Sequence, residues 1–202
     1  MSIDQWLAAV KKLFMISILV TAPFVLFTSE KCISDIQDGN RGEAEEYVCL
    51  PCGADCDTIL YKSSGTCSHC KMELVKRSTV KHTNIAPQDL CALITKAGSG
   101  NVLLLDVRTA AEFEGRAEAK YGRLKNAVNI PVQELETRMK ELSAWKDKQI
   151  VVYCSHSHRS PRASYMLSQN GFTKVTNMLG GMSAWKLVVK DESCDQQLFI
   201  SQ

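Results

Sequence analysis

The chain has 202 residues, of which 45% are hydrophobic, and its formal net charge at pH 7 is +2. This length accommodates one domain of ordinary size, which takes about 100–150 residues, together with smaller modules. Lysines and arginines are spread along the chain without forming a basic block. A nucleic-acid partner is therefore not expected, because its phosphate backbone calls for clustered positive charge.

The N-terminal segment has the pattern of an export signal. Lys11 and Lys12 precede an apolar run at residues 13–27, as the charged and apolar regions of a secretory signal do. The run is shorter than the ~18 residues expected of a transmembrane helix, which favours cleavage of the signal. Phe27, a large residue near the expected cleavage site, instead favours an uncleaved anchor. Residues 1–29 are predicted to be a signal peptide or a signal anchor. We therefore expect an exported protein that is either periplasmic or anchored by residues 13–27 and facing the periplasm.

A cysteine-rich segment follows a polar linker at residues 30–46. The chain has nine cysteines, and five of them form two C-x-x-C pairs with a further thiol between the pairs: Cys49, Cys52, Cys67, Cys70 and Cys56. Paired C-x-x-C knuckles are typical of a tetrahedral metal site, for zinc or another soft metal such as copper(I). Disulfide bonding in an oxidising compartment is the alternative, although an odd number of thiols fits it poorly.

The same segment resembles the small heavy-metal-binding domains of bacterial metal-handling proteins. Those domains open with Tyr-x-Cys and close with Cys-x-x-Cys-x-Met-x-Leu, as residues 47–49 and 67–74 do here. Cys52 stands where those domains often use another ligand type, and Cys56 is additional. The resemblance implies a small zinc-ribbon-like module at residues 47–77 of a bacterial protein.

Strand and helix patterns alternate over the next hundred residues. Apolar strands are predicted at residues 102–106, 127–131, 149–153 and 175–178, and helices are predicted to begin at 87–89 and to span 132–145 and 160–169. Apolar strands separated by helices predict an α/β domain with a parallel sheet covered by helices on both faces. In this domain, at residues 78–189, Asp106 and Arg108 are expected to form an ion pair, and Cys91 to be a small core residue. Residues 190–202 are predicted to be an unstructured tail.

Cys154 is the candidate nucleophile. It follows the predicted strand at 149–153, and ligands of parallel sheets bind beyond the carboxyl ends of the strands. A loop that closes between a strand and a helix turns N–H groups inward, and Arg159 and the helix N-terminus add positive potential, so the thiol is expected to ionise readily. His156 and His158 are interpreted as solvent-facing loop residues, with a general-base role as the alternative.

Residues from about 85 to 189 resemble a rhodanese domain. The resemblance rests on LDVR at 105–108 followed by Glu112-Phe113, on residues 122–131, on CSHSHRS at 154–160 and on LGGMSAW at 179–185. It implies that Cys154 takes a sulfane sulfur as a persulfide from thiosulfate, a persulfide or a polysulfide and passes it to cyanide or a thiol, with no cofactor required. Arg159 and the loop N–H groups would hold the anionic sulfur. The remaining loop residues would bind the substrate: Ser155, His156, Ser157, His158 and Ser160.

Other functions remain open on the sequence alone. Related phosphatases and arsenate reductases have five residues between the cysteine and the arginine, whereas four lie between Cys154 and Arg159, and the tighter loop favours a sulfur atom over a phosphate. A second alternative is a soft-metal-binding or sulfur- and redox-sensing protein in which the rhodanese domain is a binding module. Cys194 is also a candidate for resolving a Cys154 persulfide through a disulfide.

Overall fold

The computed structural model describes residues 45–202. The predicted signal segment at residues 1–29 and nearly all of the linker at 30–46 lie outside the described residues. From residue 45 onward, no helix is both long enough and apolar enough to cross a membrane.

The cysteine-rich module is a small antiparallel sheet around a core made largely of sulfur. Its strands are β1 (Tyr47–Val48), β2 (Leu60–Tyr61) and β3 (Val75–Lys76), with β1 in the centre. The buried hydrophobic residues of this core are Cys49, Cys56, Cys67 and Leu74. Because one leucine and three cysteines form so small an apolar core, this module needs cross-links or a bound ion for stability.

The main domain is built on a sheet of parallel strands. The sheet strands are β4 (Thr83–Ile85), β5 (Val102–Asp106), β7 (Val128–Asn129), β8 (Gln149–Tyr153) and β9 (Lys174–Met178). They lie in the order β4-β9-β8-β5-β7, and every pair is parallel. The two remaining strands, β6 (Arg123–Leu124) and β10 (Phe199–Ile200), form a separate antiparallel pair.

Helices cover both faces of this sheet. The α-helices of the described residues are α1 (Leu90–Ala97), α2 (Ala110–Phe113), α3 (Leu135–Arg138), α4 (Arg159–Gln169), α5 (Gly181–Val188) and α6 (Glu192–Leu198). Successive residues of β8 serve opposite cores: Val151 packs with α1 and α5, whereas Val152 packs with α3 and α4. The predicted parallel sheet with helices on both faces is therefore confirmed.

The segment predicted as one helix at residues 132–145 is instead a short α-helix followed by a 3₁₀-helix. Helix α3 ends at Arg138, and the 3₁₀-helix spans Met139–Trp145. Met139, Leu142 and Trp145 are spaced by three residues, which matches the three residues per turn of a 3₁₀-helix, and all three pack on the same core. The tighter helix keeps one apolar face on the sheet where an α-helix would rotate it away.

The C-terminal residues are folded, and the prediction of an unstructured tail is wrong. Helix α6 follows Lys190, and β10 continues it to Ile200. A disulfide joins Cys91 to Cys194. The expectation that Cys91 is only a small core residue is therefore also wrong, and Cys194 is already paired with a partner other than Cys154.

Candidate functional site

Cys154 lies where the central strand β8 ends and the loop to α4 begins. Its side chain is 1% exposed, and its Sγ is 3.4 Å from the Oγ of Ser160, which is buried in the first turn of α4. The strand places the sulfur at the carboxyl end of the parallel sheet, as the sequence predicts. Because α4 has eleven residues, the positive end of its dipole faces this loop.

The loop backbone is held from outside by helix α5. The N–H groups of Met182 and Ser183 donate to the carbonyl oxygens of Cys154 and Ser155, at 2.8 and 2.9 Å. This approach needs a glycine at the start of α5: a Cβ on Gly181 would lie 2.6 Å from the Ser155 carbonyl oxygen and would also collide with that of Cys154. The loop and α5 thus form one close-packed unit.

Backbone N–H groups of the loop remain available for a ligand. Within residues 45–202, the N–H groups of residues 155–158 donate to no backbone or side-chain acceptor. Ser157 adopts a left-handed conformation with φ of +59°, which tightens the loop. Its buried hydroxyl accepts a hydrogen bond from the Asn177 amide at 3.3 Å. A compact loop with free N–H groups is the arrangement that binds anions.

Arg159 is held by Glu112, a residue for which the sequence pattern predicts no role in the site. Two guanidinium nitrogens of Arg159 donate to the two Glu112 carboxylate oxygens, each at 2.7 Å, and a third contact joins Arg159 to the Ser155 hydroxyl at 3.0 Å. Ser155 in turn donates to Glu112 at 2.9 Å. The Arg159 guanidinium holds the pKa of Glu112 well below its usual range. This network cross-links the two ends of the loop to helix α2.

Glu112 is itself fixed by a capping box at the start of α2. The N–H and hydroxyl of Thr109 donate to its carboxylate, both at 2.9 Å, and the Thr109 hydroxyl accepts from the Glu112 N–H at 3.2 Å. The sequence signal for this arrangement is Thr-x-x-Glu directly after the β5 end. It marks the position of Glu112, although it does not indicate the pairing with Arg159.

The two loop histidines, His156 and His158, are exposed, as predicted for solvent-facing residues. The His156 Nε2 lies 3.1 Å from the Tyr121 hydroxyl, and the two rings meet edge to face. His158 points into a cleft of about 1160 Å³ that runs between the loop and the cysteine-rich module. The loop residues therefore divide between a buried group around the sulfur and two exposed histidines, of which His158 lines the cleft.

Both modules line this cleft. Leu50, Lys71 and Met72 come from the cysteine-rich module, and Arg162 and Tyr165 come from α4. A direct hydrogen bond also joins the modules, because the Asn177 amide of the main domain donates to the Pro51 carbonyl oxygen at 3.4 Å. In the segment that follows the cysteine-rich module, the Thr79 hydroxyl lies 2.9 Å from that of Tyr165.

A buried ion pair supports the strand ends beneath the loop. Asp106 and Arg108 are both fully buried, with contacts of 2.6 and 3.0 Å between their charged groups. Arg108 also donates to the Gly122 carbonyl oxygen at 2.9 Å. Asn129 donates to the carbonyl oxygens of both ion-pair residues, each at 2.9 Å. The predicted structural ion pair is confirmed, and it ties β5 to β7 and to the turn at Gly122.

The cysteine-rich module brings four of its five sulfurs together. The Sγ atoms of Cys49, Cys56, Cys67 and Cys70 all lie within 4.8 Å of one another, whereas Cys52 lies in a second group with Cys56 and Asp57. Backbone N–H groups of residues 69 and 70 and the Tyr61 hydroxyl donate to the Cys67 sulfur, which lowers its pKa to about 6. Burial raises the pKa of the Cys56 thiol to about 12.

Comparison with known proteins identifies the main domain. Residues 90–187 match the family model of the rhodanese-like domain. A sulfurtransferase of Allochromatium vinosum is 36% identical over 89 residues, which are 44% of this chain and 76% of that protein. The chain belongs to the rhodanese-like family.

Other similar proteins are matched over different shares of their own length. The protein YqhL of Bacillus subtilis is 39% identical over 90 residues, which are 45% of this chain and 65% of that protein, just under two thirds. A tRNA uridine(34) hydroxylase of Escherichia coli is 31% identical over 96 residues, 46% of this chain and 26% of that protein. A solved rhodanese-related protein of Thermoplasma volcanium is 29% identical with a TM-score of 0.42, covering 52% of this chain and 92% of that one.

Proposed function

We propose that this rhodanese-like chain is a sulfurtransferase that carries a sulfane sulfur as a persulfide on Cys154. The observation that carries the proposal is the buried Cys154 sulfur at the carboxyl end of β8, in a loop whose four following N–H groups have no protein acceptor among residues 45–202. The donor is thiosulfate, a persulfide or a polysulfide. The acceptor is cyanide or a thiol, and sulfur transfer needs no cofactor.

The transfer takes place in two displacements at sulfur. The Cys154 thiolate attacks the outer sulfur of thiosulfate, the S–S bond to the sulfonate breaks, and sulfite leaves with the bonding electron pair. Cyanide then attacks the outer sulfur of the Cys154 persulfide, thiocyanate departs, and the thiolate is restored. Electrons balance over the cycle without an external oxidant, and the original thiol proton goes to water.

The loop supplies electrostatic stabilisation in both steps. Free N–H groups of residues 155–158 and the α4 dipole favour an anionic sulfur. The Ser160 hydroxyl, 3.4 Å from Sγ, is placed to donate to it. Arg159 acts mainly as a positioning residue, because Glu112 already neutralises its guanidinium. No general base is required once the thiol is ionised.

Sulfur loading on Cys154 is directly measurable. We expect intact-protein mass spectrometry of anaerobically purified protein to show a gain of one sulfur atom after incubation with thiosulfate, and the Cys154→Ala variant to show none. A matched control is Cys52→Ala, which removes another buried thiol outside the loop and is expected to keep the gain. An equal gain in Cys154→Ala and in wild type would refute the role of Cys154.

A second candidate function is soft-metal binding, with the rhodanese domain supplying or sensing sulfur. The observation that favours it is the buried group of four cysteine sulfurs in the upstream module. Under this function the Cys154→Ser variant would retain a bound metal and the biological response to it. Under the first function the same variant would lose all sulfur transfer.

Export to the periplasm, with or without an anchor at residues 13–27, is part of the proposal. The Cys91–Cys194 disulfide supports it, because disulfides persist mainly in oxidising compartments. Protease added to intact spheroplasts is expected to digest the protein. Digestion only after lysis would place it in the cytoplasm and contradict export.

A further inference from the structure

The cysteine-rich module contains a group of sulfurs with the spacing of a metal site. The Sγ atoms of Cys49, Cys56, Cys67 and Cys70 lie within 4.8 Å of one another, and the first three side chains are at most 1% exposed. A sulfur tetrahedron around zinc, with Zn–S distances of about 2.3 Å, has edges of about 3.8 Å. Small shifts would therefore close the four sulfurs on one ion.

Cys52 is engaged elsewhere. Its thiol lies 3.6 Å from one carboxylate oxygen of Asp57, and the other oxygen accepts the N–H groups of Cys52 and Gly53 at 2.9 and 2.6 Å. These bonds close a turn that directs Cys56, the residue before Asp57, toward the other sulfurs. Cys56 is also within ligand distance of Cys52 and Asp57, but that second group offers only two sulfurs.

The backbone around the second knuckle is already shaped for ligation. The Cys67 N–H donates to the Met72 carbonyl oxygen at 2.8 Å, and the Lys71 N–H donates to the Cys67 carbonyl oxygen at 3.0 Å. Lys71 adopts a left-handed conformation with φ of +62°, which closes the knuckle. The Tyr61 hydroxyl donates to the Cys67 sulfur at 3.6 Å. Hydrogen bonds to a ligand sulfur orient it and stabilise its thiolate form.

We propose that Cys49, Cys56, Cys67 and Cys70 bind one tetrahedral soft metal ion, with zinc as the ion that fits best, and that Cys52 is not a ligand. Binding forms four metal–sulfur bonds and releases the thiol protons to water. The ion would join the β1 segment, the turn at Cys56 and the second knuckle, in a module with almost no other core. This inference goes beyond sulfur transfer on Cys154.

A pair of cysteine variants tests the ligand set. The full chain and its Cys52→Ser and Cys56→Ser variants are purified anaerobically after growth with zinc, and metal content is measured after dialysis against a competing chelator. We expect one zinc per chain in wild type and in Cys52→Ser, and loss of zinc in Cys56→Ser. The reverse result, with zinc lost from Cys52→Ser and kept in Cys56→Ser, would overturn the assignment.

Zinc X-ray absorption of the Cys52→Ser protein tests the site without relying on a destabilised variant. That protein keeps only the four proposed ligands among the cysteines of the module, so a shell of four sulfurs at about 2.3 Å identifies the set. A shell containing nitrogen or oxygen would overturn it. Metal-free wild type with the mass of additional disulfides would overturn it as well. Sulfur loading of Cys154 in the same samples reports separately on the sulfurtransferase proposal.

Discussion

At the scale of single residues, Glu112 determines what Arg159 can do. The bidentate contact occupies the face of the guanidinium that would otherwise bind an anion, and both partners also bond Ser155. The carboxylate is about one-fifth exposed, so solvent screens the pair only in part. Arg159 therefore shapes the loop, and the free N–H groups and the α4 dipole are left to attract an anion.

The depressed pKa of Glu112 predicts a pH-dependent loss of stability. Because the folded-state pKa lies below the unfolded value of about 4.3, the pair stabilises the protein above that value and loses its effect as the pH falls below it. We expect wild type to be more stable than Glu112→Gln by about 1–2 kcal/mol at pH 7, with the difference shrinking toward pH 3. Urea unfolding of both proteins across this range measures it.

The matched control for Glu112→Gln is Glu114→Gln on the same segment. Glu114 pairs with Arg116 at an exposed site, where ion pairs contribute little. Its substitution should leave the pH profile of wild type almost unchanged. A difference between wild type and Glu112→Gln that stays constant from pH 7 to pH 3 would mean that the ion pair does not account for the effect.

Residue-level predictions succeed where sequence neighbours decide the contact. Asp106 and Arg108 are two residues apart at a strand end, so their ion pair follows from the local chain. Cys154 directly follows an apolar strand, so its position at the carboxyl end of the sheet also follows from the local sequence. The proximity of Cys56, rather than Cys52, to the other three sulfurs is not a local feature of the sequence. It depends on the Asp57 turn and on how the second knuckle meets β1. Sequence spacing alone would favour Cys52 as a metal ligand, because it forms a C-x-x-C pair with Cys49.

At the scale of secondary-structure elements, α5 determines the shape of the loop that begins at Cys154 and ends at α4, here called the sulfur loop. Gly181 has φ of +57°, and a side chain there would strike the carbonyl groups of residues 154 and 155. We expect Gly181→Ala to lose about 2–4 kcal/mol of stability and most of the sulfur transfer, since either the loop or α5 must move. Thermal unfolding and thiosulfate:cyanide turnover measure the two effects.

Gly171→Ala is a close control for Gly181→Ala. Gly171 also has a left-handed φ, of +84°, but a Cβ there meets nothing within 4 Å. Its substitution should cost only the backbone strain, about 1–2 kcal/mol, with turnover nearly intact. Equal loss of turnover in the two variants would show that backbone strain, rather than the contact with the loop, is responsible.

The C-terminal element depends on contacts that connect distant parts of the sequence. Cys194 of α6 is bonded to Cys91 of α1 across 103 residues of sequence, and the Trp185 indole N–H donates to Asp195 at 2.7 Å. Strand β10 then pairs with β6. The apolar strands of the main sheet are recognisable from their runs of hydrophobic residues, whereas a polar helix held by a disulfide has no such sequence pattern. For this reason four strands of the main sheet could be predicted, whereas the short polar strand β4 and the folded C-terminus could not.

Removing the disulfide should destabilise the domain measurably. We expect the Cys91→Ser/Cys194→Ser variant to lose about 2–4 kcal/mol of unfolding free energy, because the cross-link restricts a long loop in the unfolded chain. Anaerobic denaturant unfolding without added reductant, which limits oxidation of the other thiols, measures this change. A double variant as stable as wild type, with the same C-terminal protection in hydrogen exchange, would show that α6 does not need the bond.

At the scale of the whole molecule, the two modules share a cleft beside the sulfur loop. The wall from the cysteine-rich module includes Lys71, and the opposite wall includes His158 and Arg162. The cleft volume of about 1160 Å³ exceeds that of common small-molecule sites, which are about 300–1,000 Å³. Under the proposed function, a donor larger than thiosulfate has room to contact both modules beside the loop residues His158 and Arg159.

Reversing the charge of Lys71 should weaken the use of an anionic donor that fills this cleft. Like charge facing an approaching anion reduces association, and we expect Lys71→Glu to raise KM for a peptide persulfide of net negative charge by about 3- to 10-fold. The effect on KM for thiosulfate should be smaller.

Lys62→Glu is the control, since Lys62 is an exposed lysine of the same module that does not line the cleft. Steady-state kinetics with both donors, in proteins of equal metal content, measure the ratio. An equal rise in KM with Lys62→Glu would assign the effect to overall charge, and no rise with either variant would place the donor outside the cleft.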